Sequence, residues 1–272
     1  MSLEDIAKKM CAKGKGILAA DESTGTMDKR LKSVGVESSE ANRLNFRETL
    51  FSSDAMKNYI GGVILFDETI RQKTSLGISI PELIIKNDSV VGIKVDKGAK
   101  KIAGSPEETV TEGLDGLRER LVEYYKLGAR FTKWRAVYNI GKNYPSVQSI
   151  KSNAHALARY AALVQEANMV PIVEPEVLMD GKHSAEDCFK KTSEVIKKLV
   201  SLILFISSRF LVASCSVWPP DKKAMPGTSL GTFFFRQSKV FFAISSDEAL
   251  FLQVDPEITI LGFKTVPFKE TL

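Results

Sequence analysis

Five apolar, β-branched runs recur along the chain: Gly14 to Asp21, Ile60 to Glu68, Val90 to Lys97, Ala129 to Tyr138 and Met169 to Leu178. Near-continuous apolar strands belong in a parallel sheet covered by helices on its faces. Between the runs, Leu114, Leu117, Leu121 and Tyr125, then Ile150, Ala154, Leu157, Ala161 and Val164, keep the i, i+3, i+4 spacing of amphipathic helices. Strand and helix alternate, which predicts an α/β fold, either a (β/α) barrel or a doubly wound sheet. No GxGxxG or GxxxxGK[ST] stands at a strand-to-helix turn, so the usual dinucleotide and P-loop signatures are missing.

Each run carries charge at or near its C-terminal end. Asp21 closes the first and Asp67 with Glu68 the second; Lys94 and Asp96, Lys133 and Arg135, and Glu174 and Glu176 follow as pairs two residues apart. Side chains on a strand alternate between faces, so each pair shares one face. In a barrel these positions converge on one mouth, where barrel enzymes hold their sites. The segment VPIVEPEVL poses the sharpest question, because two glutamates in an apolar strand are costly unless something pairs or uses them. The plainer alternative is a strand that ends near Glu174, bends at Pro175 and leaves both carboxylates in water. For Asp67 and Glu68 the expectation is that plainer one, a strand ending in solvent.

A chain of 272 residues, 44% hydrophobic, can bury a large core as one barrel or two smaller domains. The net charge of +5 is spread without a basic block, which fits anionic small molecules and gives no pointer to nucleic acid. Cys11, Cys188 and Cys215 lack CxxC spacing, and two histidines are too few for a histidine-built metal site, so a reducing compartment and no metal are expected. No secretory signal opens the chain, and a cytoplasmic location is the default expectation.

The assembled segments strongly resemble the class I fructose-bisphosphate aldolases, the Schiff-base enzymes of glycolysis. They are GKGILAADESTGTMDKRL, IGGVILFDET, VVGIKVDKG, GLDGLRERL, FTKWRAVYNIG, HALARYA and VPIVEPEVL, in family order and spacing. The resemblance implies a TIM (β/α)8 barrel, of which about five strands are recognisable. It implies reversible cleavage of fructose 1,6-bisphosphate to dihydroxyacetone phosphate and glyceraldehyde 3-phosphate, without a metal or other cofactor. A phosphorylated sugar is the implied partner, with no nucleic acid or membrane, and the family assembles as homotetramers. By the same resemblance Asp21 handles the proton on the hydroxyl beside the breaking bond, Glu174 is the general acid/base with Glu176 beside it, and Lys133 assists carbinolamine turnover. Lys94, Arg135, Thr26 and Arg30 are implied at the substrate and its phosphate, though an exposed helix face accounts for Thr26 and Arg30 equally well.

The resemblance stops near residue 199, which divides the chain into an aldolase-like part, 1–199, and a non-matching tail, 200–272. The family's Schiff-base lysine sits on the sixth strand in a motif of the form LKPNM, and that motif does not occur here. Ten of the 15 phenylalanines fall in the last 73 residues, marking a change of composition. Lys264 in FKTVPF only superficially resembles the lost strand, and the apolar run Val200 to Trp218 is interrupted by Arg209 and five serines, unlike a membrane span. A catalytically inactive aldolase-like protein is therefore the alternative reading. A third possibility makes Lys133 the nucleophile, as in transaldolases, with a pKa lowered by burial and by Arg135.

Overall fold

The computed structural model describes residues 1–206; Lys264 and the chain after Ile206 lie outside the described residues. The elements in order are α1 (Leu3–Met10), β1 (Gly16–Ala20), α2 (Thr24–Ser33), α3 (Glu40–Phe51), α4 (Asp54–Tyr59), β2 (Ile60–Leu65), α5 (Asp67–Arg71), α6 (Ile80–Lys86) and β3 (Val90–Lys94). There follow β4 (Ala99–Ile102), β5 (Ser105–Thr111), α7 (Leu117–Lys126), β6 (Phe131–Tyr138), α8 (Val147–Glu166), β7 (Val170–Val177) and α9 (Ala185–Ile206). The five expected runs are the strands β1, β2, β3, β6 and β7, which pair in that order and all in parallel. The strands β4 and β5 form a separate antiparallel hairpin between β3 and α7.

The parallel strands separate two apolar clusters. On the outer side, helices pack on the sheet around Trp134, Leu157, Tyr160 and Val173. On the inner side Ile64, Val90, Phe131, Val170 and Ile172 gather with Ile6 and Met10 of α1. Helix α1 touches β2, β3 and β7 at once, so the sheet is curved around it and α1 closes the floor. Gly92 permits this curvature to be filled: a Cβ there would strike the Phe131 ring, which occupies the space the glycine leaves. These residues build the half of a TIM barrel nearest the N-terminus, with helices outside and a packed interior.

Two expectations are corrected by the packing. Helix α7 begins only at Leu117, after Gly116 in the left-handed region, so Leu114 precedes it. Its buried tyrosine is Tyr124, while Tyr125 lies outward and receives Arg130 on its ring face at 4.0 Å. Asp67 and Glu68 do not simply end a strand in solvent. They open α5, where Asp67 accepts from Tyr124 at 2.8 Å and Glu68 from Arg43 Nε at 2.9 Å. Helix α9 runs unbroken through Leu199 to Ile206, across the expected division of the chain. Among the described residues no helix is long and apolar enough to cross a membrane.

Candidate active site

The two glutamates of VPIVEPEVL lie within β7, inside the protein. All eight residues from Val170 to Val177 are buried, with Glu174 at 0% and Glu176 at 3% exposure. The strand pairs with β6 along its whole length, so neither glutamate is a loop residue. Pro171 and Pro175 cost no hydrogen bond to β6, because Val170 and Leu178 donate to that side and the odd positions between them face away from it.

Register explains which charges meet. Lys133 stands opposite Lys94 and Ile172, and Arg135 opposite Glu174. Each cation leans toward the strand's C-terminal end and engages the carboxylate two residues further along β7. Lys133 Nζ lies 3.3 Å from Glu174 Oε2, and Arg135 Nε donates to Glu176 Oε2. Lys133 also reaches Asp21 Oδ2, just past β1, at 2.9 Å. Lys94 donates to Asp96 Oδ1 at 2.6 Å, and Asp96 further accepts from the backbone N–H groups of Gly98 and Arg135 at 3.1 and 3.4 Å. Adjacent like charges on β3 and β6 are thus offset by carboxylates at the ends of β1, β3 and β7.

Burial alone would pull the Lys133 ammonium down, but Asp21 and Glu174 outweigh it and hold its pKa above the ordinary lysine value. The lowering that a nucleophilic Lys133 would need is opposed by these two carboxylates. Arg135 does not press on it, because its own guanidinium is committed to Glu176, which outweighs its burial and raises it as well. Protonated, Lys133 donates hydrogen bonds and acts as a local cation; nucleophilic attack would require its neutral form.

Thr26 and Arg30 sit apart from this cluster on α2, both exposed. Thr26 bonds the Ser23 hydroxyl at 3.1 Å, and Arg30 pairs with Glu22, the neighbour of Asp21. Two further arginines behind the same loop went unread in the sequence. Arg43, Arg47 and Phe51 form the buried i, i+4, i+8 stripe of α3, and Arg47 Nη2 donates to the Glu22 carbonyl at 2.7 Å. The signal was present as arginines on the face of α3 that also carries Phe51. Among the described residues no group of three His, Cys, Asp or Glu is arranged to hold a metal. An open cavity of about 430 Å³ lies elsewhere, between α7, α8 and Ile206, on the helix side of the sheet.

Comparisons with known proteins bear on the family and the fold. The family model described as fructose-bisphosphate aldolase class-I matches residues 2–205. A probable fructose-bisphosphate aldolase class 1 of Xanthomonas axonopodis pv. citri is 56% identical over 202 residues, which is 73% of this chain and 60% of that protein. The cytosolic fructose-bisphosphate aldolase 5 of Arabidopsis thaliana is 54% identical over 190 residues, 70% of this chain and 53% of its own. Among solved structures, the Plasmodium falciparum fructose-bisphosphate aldolase, crystallised with TRAP and a small-molecule inhibitor, superposes with a TM-score of 0.73 at 45% identity. It covers 74% of this chain and 58% of its own. The chain thus spans 60% or less of the length of these three relatives.

Proposed function

The chain belongs to the class I fructose-bisphosphate aldolase family through residues 2–205, and from that membership we propose that it catalyses the reversible aldol cleavage of fructose 1,6-bisphosphate in the cytoplasm. The observation that carries the proposal is the Lys133 ammonium of β6 held between Asp21, just past β1, and Glu174, within β7. Aldol cleavage removes a proton from the hydroxyl beside the breaking carbon-carbon bond, and Asp21 is assigned that proton. Glu174 is assigned the proton transfers that accompany attack of a lysine amine on the substrate carbonyl and loss of water from the resulting carbinolamine, with Glu176 holding Arg135 beside it; that amine is none of the residues assigned here. Two carboxylates of unlike surroundings divide acid and base roles in this way. Lys133 supplies a fixed positive charge that stabilises oxyanion character as it develops. Lys94, Arg135, Thr26 and Arg30 are assigned to the phosphorylated sugar, whose phosphates favour arginine and lysine donors.

One observation favours a second reading. Class I chemistry also needs an amine neutral enough to attack the substrate carbonyl, Lys133 is held protonated, and no LKPNM motif occurs in the chain. On that reading the mouth binds a phosphorylated sugar without turning it over. Cleavage of fructose 1,6-bisphosphate in excess EDTA separates the two. Turnover that survives EDTA supports the aldolase reading; activity lost to EDTA and restored by zinc rejects the Schiff-base class. Sugar binding without cleavage selects the second reading, and neither binding nor cleavage rejects both.

A further inference from the structure

We propose that Arg47 is the positioning residue that fixes Asp21 against Lys133. Asp21 and Glu22 follow directly on β1, at the start of the loop that leads to α2. Arg47 holds that loop from behind. Its guanidinium is fully buried behind the loop, donates to the Glu22 carbonyl at 2.7 Å, and lies 3.6 Å from the Glu68 carboxylate and 4.0 Å from that of Glu22. Glu68 is itself fixed by Arg43 Nε at 2.9 Å, so the anchor is braced from α3 and α5 together.

The arrangement is a costly way to fill space. Arg47 Nε and Nη1 make no hydrogen bond, and burial pulls the guanidinium below its ordinary pKa despite Glu22 and Glu68. An apolar side chain would complete the stripe with Phe51 at lower cost. What an apolar residue cannot do is grip the peptide next to Asp21. Asp21 reaches Lys133 over 2.9 Å, and a shift of about 1 Å in the loop would break that contact.

The assignment deepens the aldolase reading, on which the proton-handling role of Asp21 rests, yet its test needs no turnover. The full chain is acylated with acetic anhydride at about pH 8, and modification of Lys133 is measured by mass spectrometry against exposed Lys29. Arg47→Lys, which keeps the charge but loses the planar fork, should raise the Lys133 ratio about tenfold, one pKa unit of lost carboxylate support. Asp21→Asn should raise it at least as far, and the double variant should match Asp21→Asn alone. An unchanged ratio in folded Arg47→Lys, or a double variant whose effects multiply, overturns the proposal. Should Arg47→Lys fail to fold, Glu68→Gln takes its place in the same cycle, and the same two results overturn the proposal. Absence of cleavage by the unaltered chain would count against the aldolase reading and leave this result standing.

Discussion

The Lys133 ammonium meets the Asp21 carboxylate at 2.9 Å although their strands, β6 and β1, are not neighbours in the sheet. The contact spans the barrel interior, and with Glu174 it sets the charge of Lys133. A cation whose folded pKa lies above its unfolded value contributes stability that is fully present below the unfolded value, about 10.4 for lysine, and is lost as pH rises through the folded one. Lys133→Met should therefore cost about 3–5 kcal/mol at pH 7, since it leaves buried Glu174 and half-buried Asp21 without their shared cation. Urea titrations along a pH series should show the gap between the two proteins narrowing above about pH 10.4. A gap independent of pH would contradict the assignment.

Glu108 gives the opposite sign. Its burial opposes ionisation, but the Ser146 backbone N–H at 2.7 Å and the Ser105 hydroxyl at 2.9 Å outweigh this and hold its pKa below the usual carboxylate range. The carboxylate ties the hairpin of β4 and β5 to the N-terminus of α8, where a negative charge is favoured. Its contribution is present above the unfolded value of about 4.3 and lost as pH falls through the folded one. Glu108→Ala should cost about 1.5–3 kcal/mol at neutral pH. The difference, read by denaturant melts, should shrink on acidification.

Gly92 tests the interior packing. Because a methyl group there collides with Phe131, Gly92→Ala should destabilise the protein by about 1–3 kcal/mol. Phe131→Leu in the same chain should recover part of that loss, as the ring is the obstacle. Thermal melts of the three variants decide it.

Much of this half-barrel was legible because its strands are apolar throughout and its strand-end charges recur with period two. Lys133 with Arg135 and Glu174 with Glu176 each share a face for that reason, while Asp96 lies past the end of β3 and meets Lys94 from the loop. The pairing was less visible. Period two places Arg135 opposite Glu174, but its long side chain leans on to Glu176, a diagonal contact that only register and reach define. The charge of Lys133 could not be read from its neighbour Arg135, since the deciding carboxylate comes from Asp21, 112 residues earlier. Asp67 and Glu68 looked like a solvated strand end because their partners, Tyr124 and Arg43, lie on other helices. Arg47 was hidden by composition, which places arginine outside by default.

Lys94 and Arg135 are assigned to phosphate, each now held by a carboxylate that an incoming anion must displace. Lys94→Met and Arg135→Met should each weaken binding of fructose 1,6-bisphosphate about tenfold or more, the worth of one charge-assisted hydrogen bond. Calorimetry at two ionic strengths should also show a shallower salt dependence in the variants. Unchanged affinity would place the phosphates elsewhere.

Buried Glu174 is assigned the proton transfers of a metal-independent aldol cleavage, and on that assignment the proposed activity stands or falls. The most direct measurement is the steady-state cleavage rate of fructose 1,6-bisphosphate in excess EDTA by the unaltered chain and by Glu174→Gln, both confirmed as folded by circular dichroism. Cleavage is expected from the former, and a kcat lower by about two to four orders of magnitude from the latter. Unaltered turnover in folded Glu174→Gln would contradict the assignment, as would a folded wild-type chain that binds the sugar and never cleaves it.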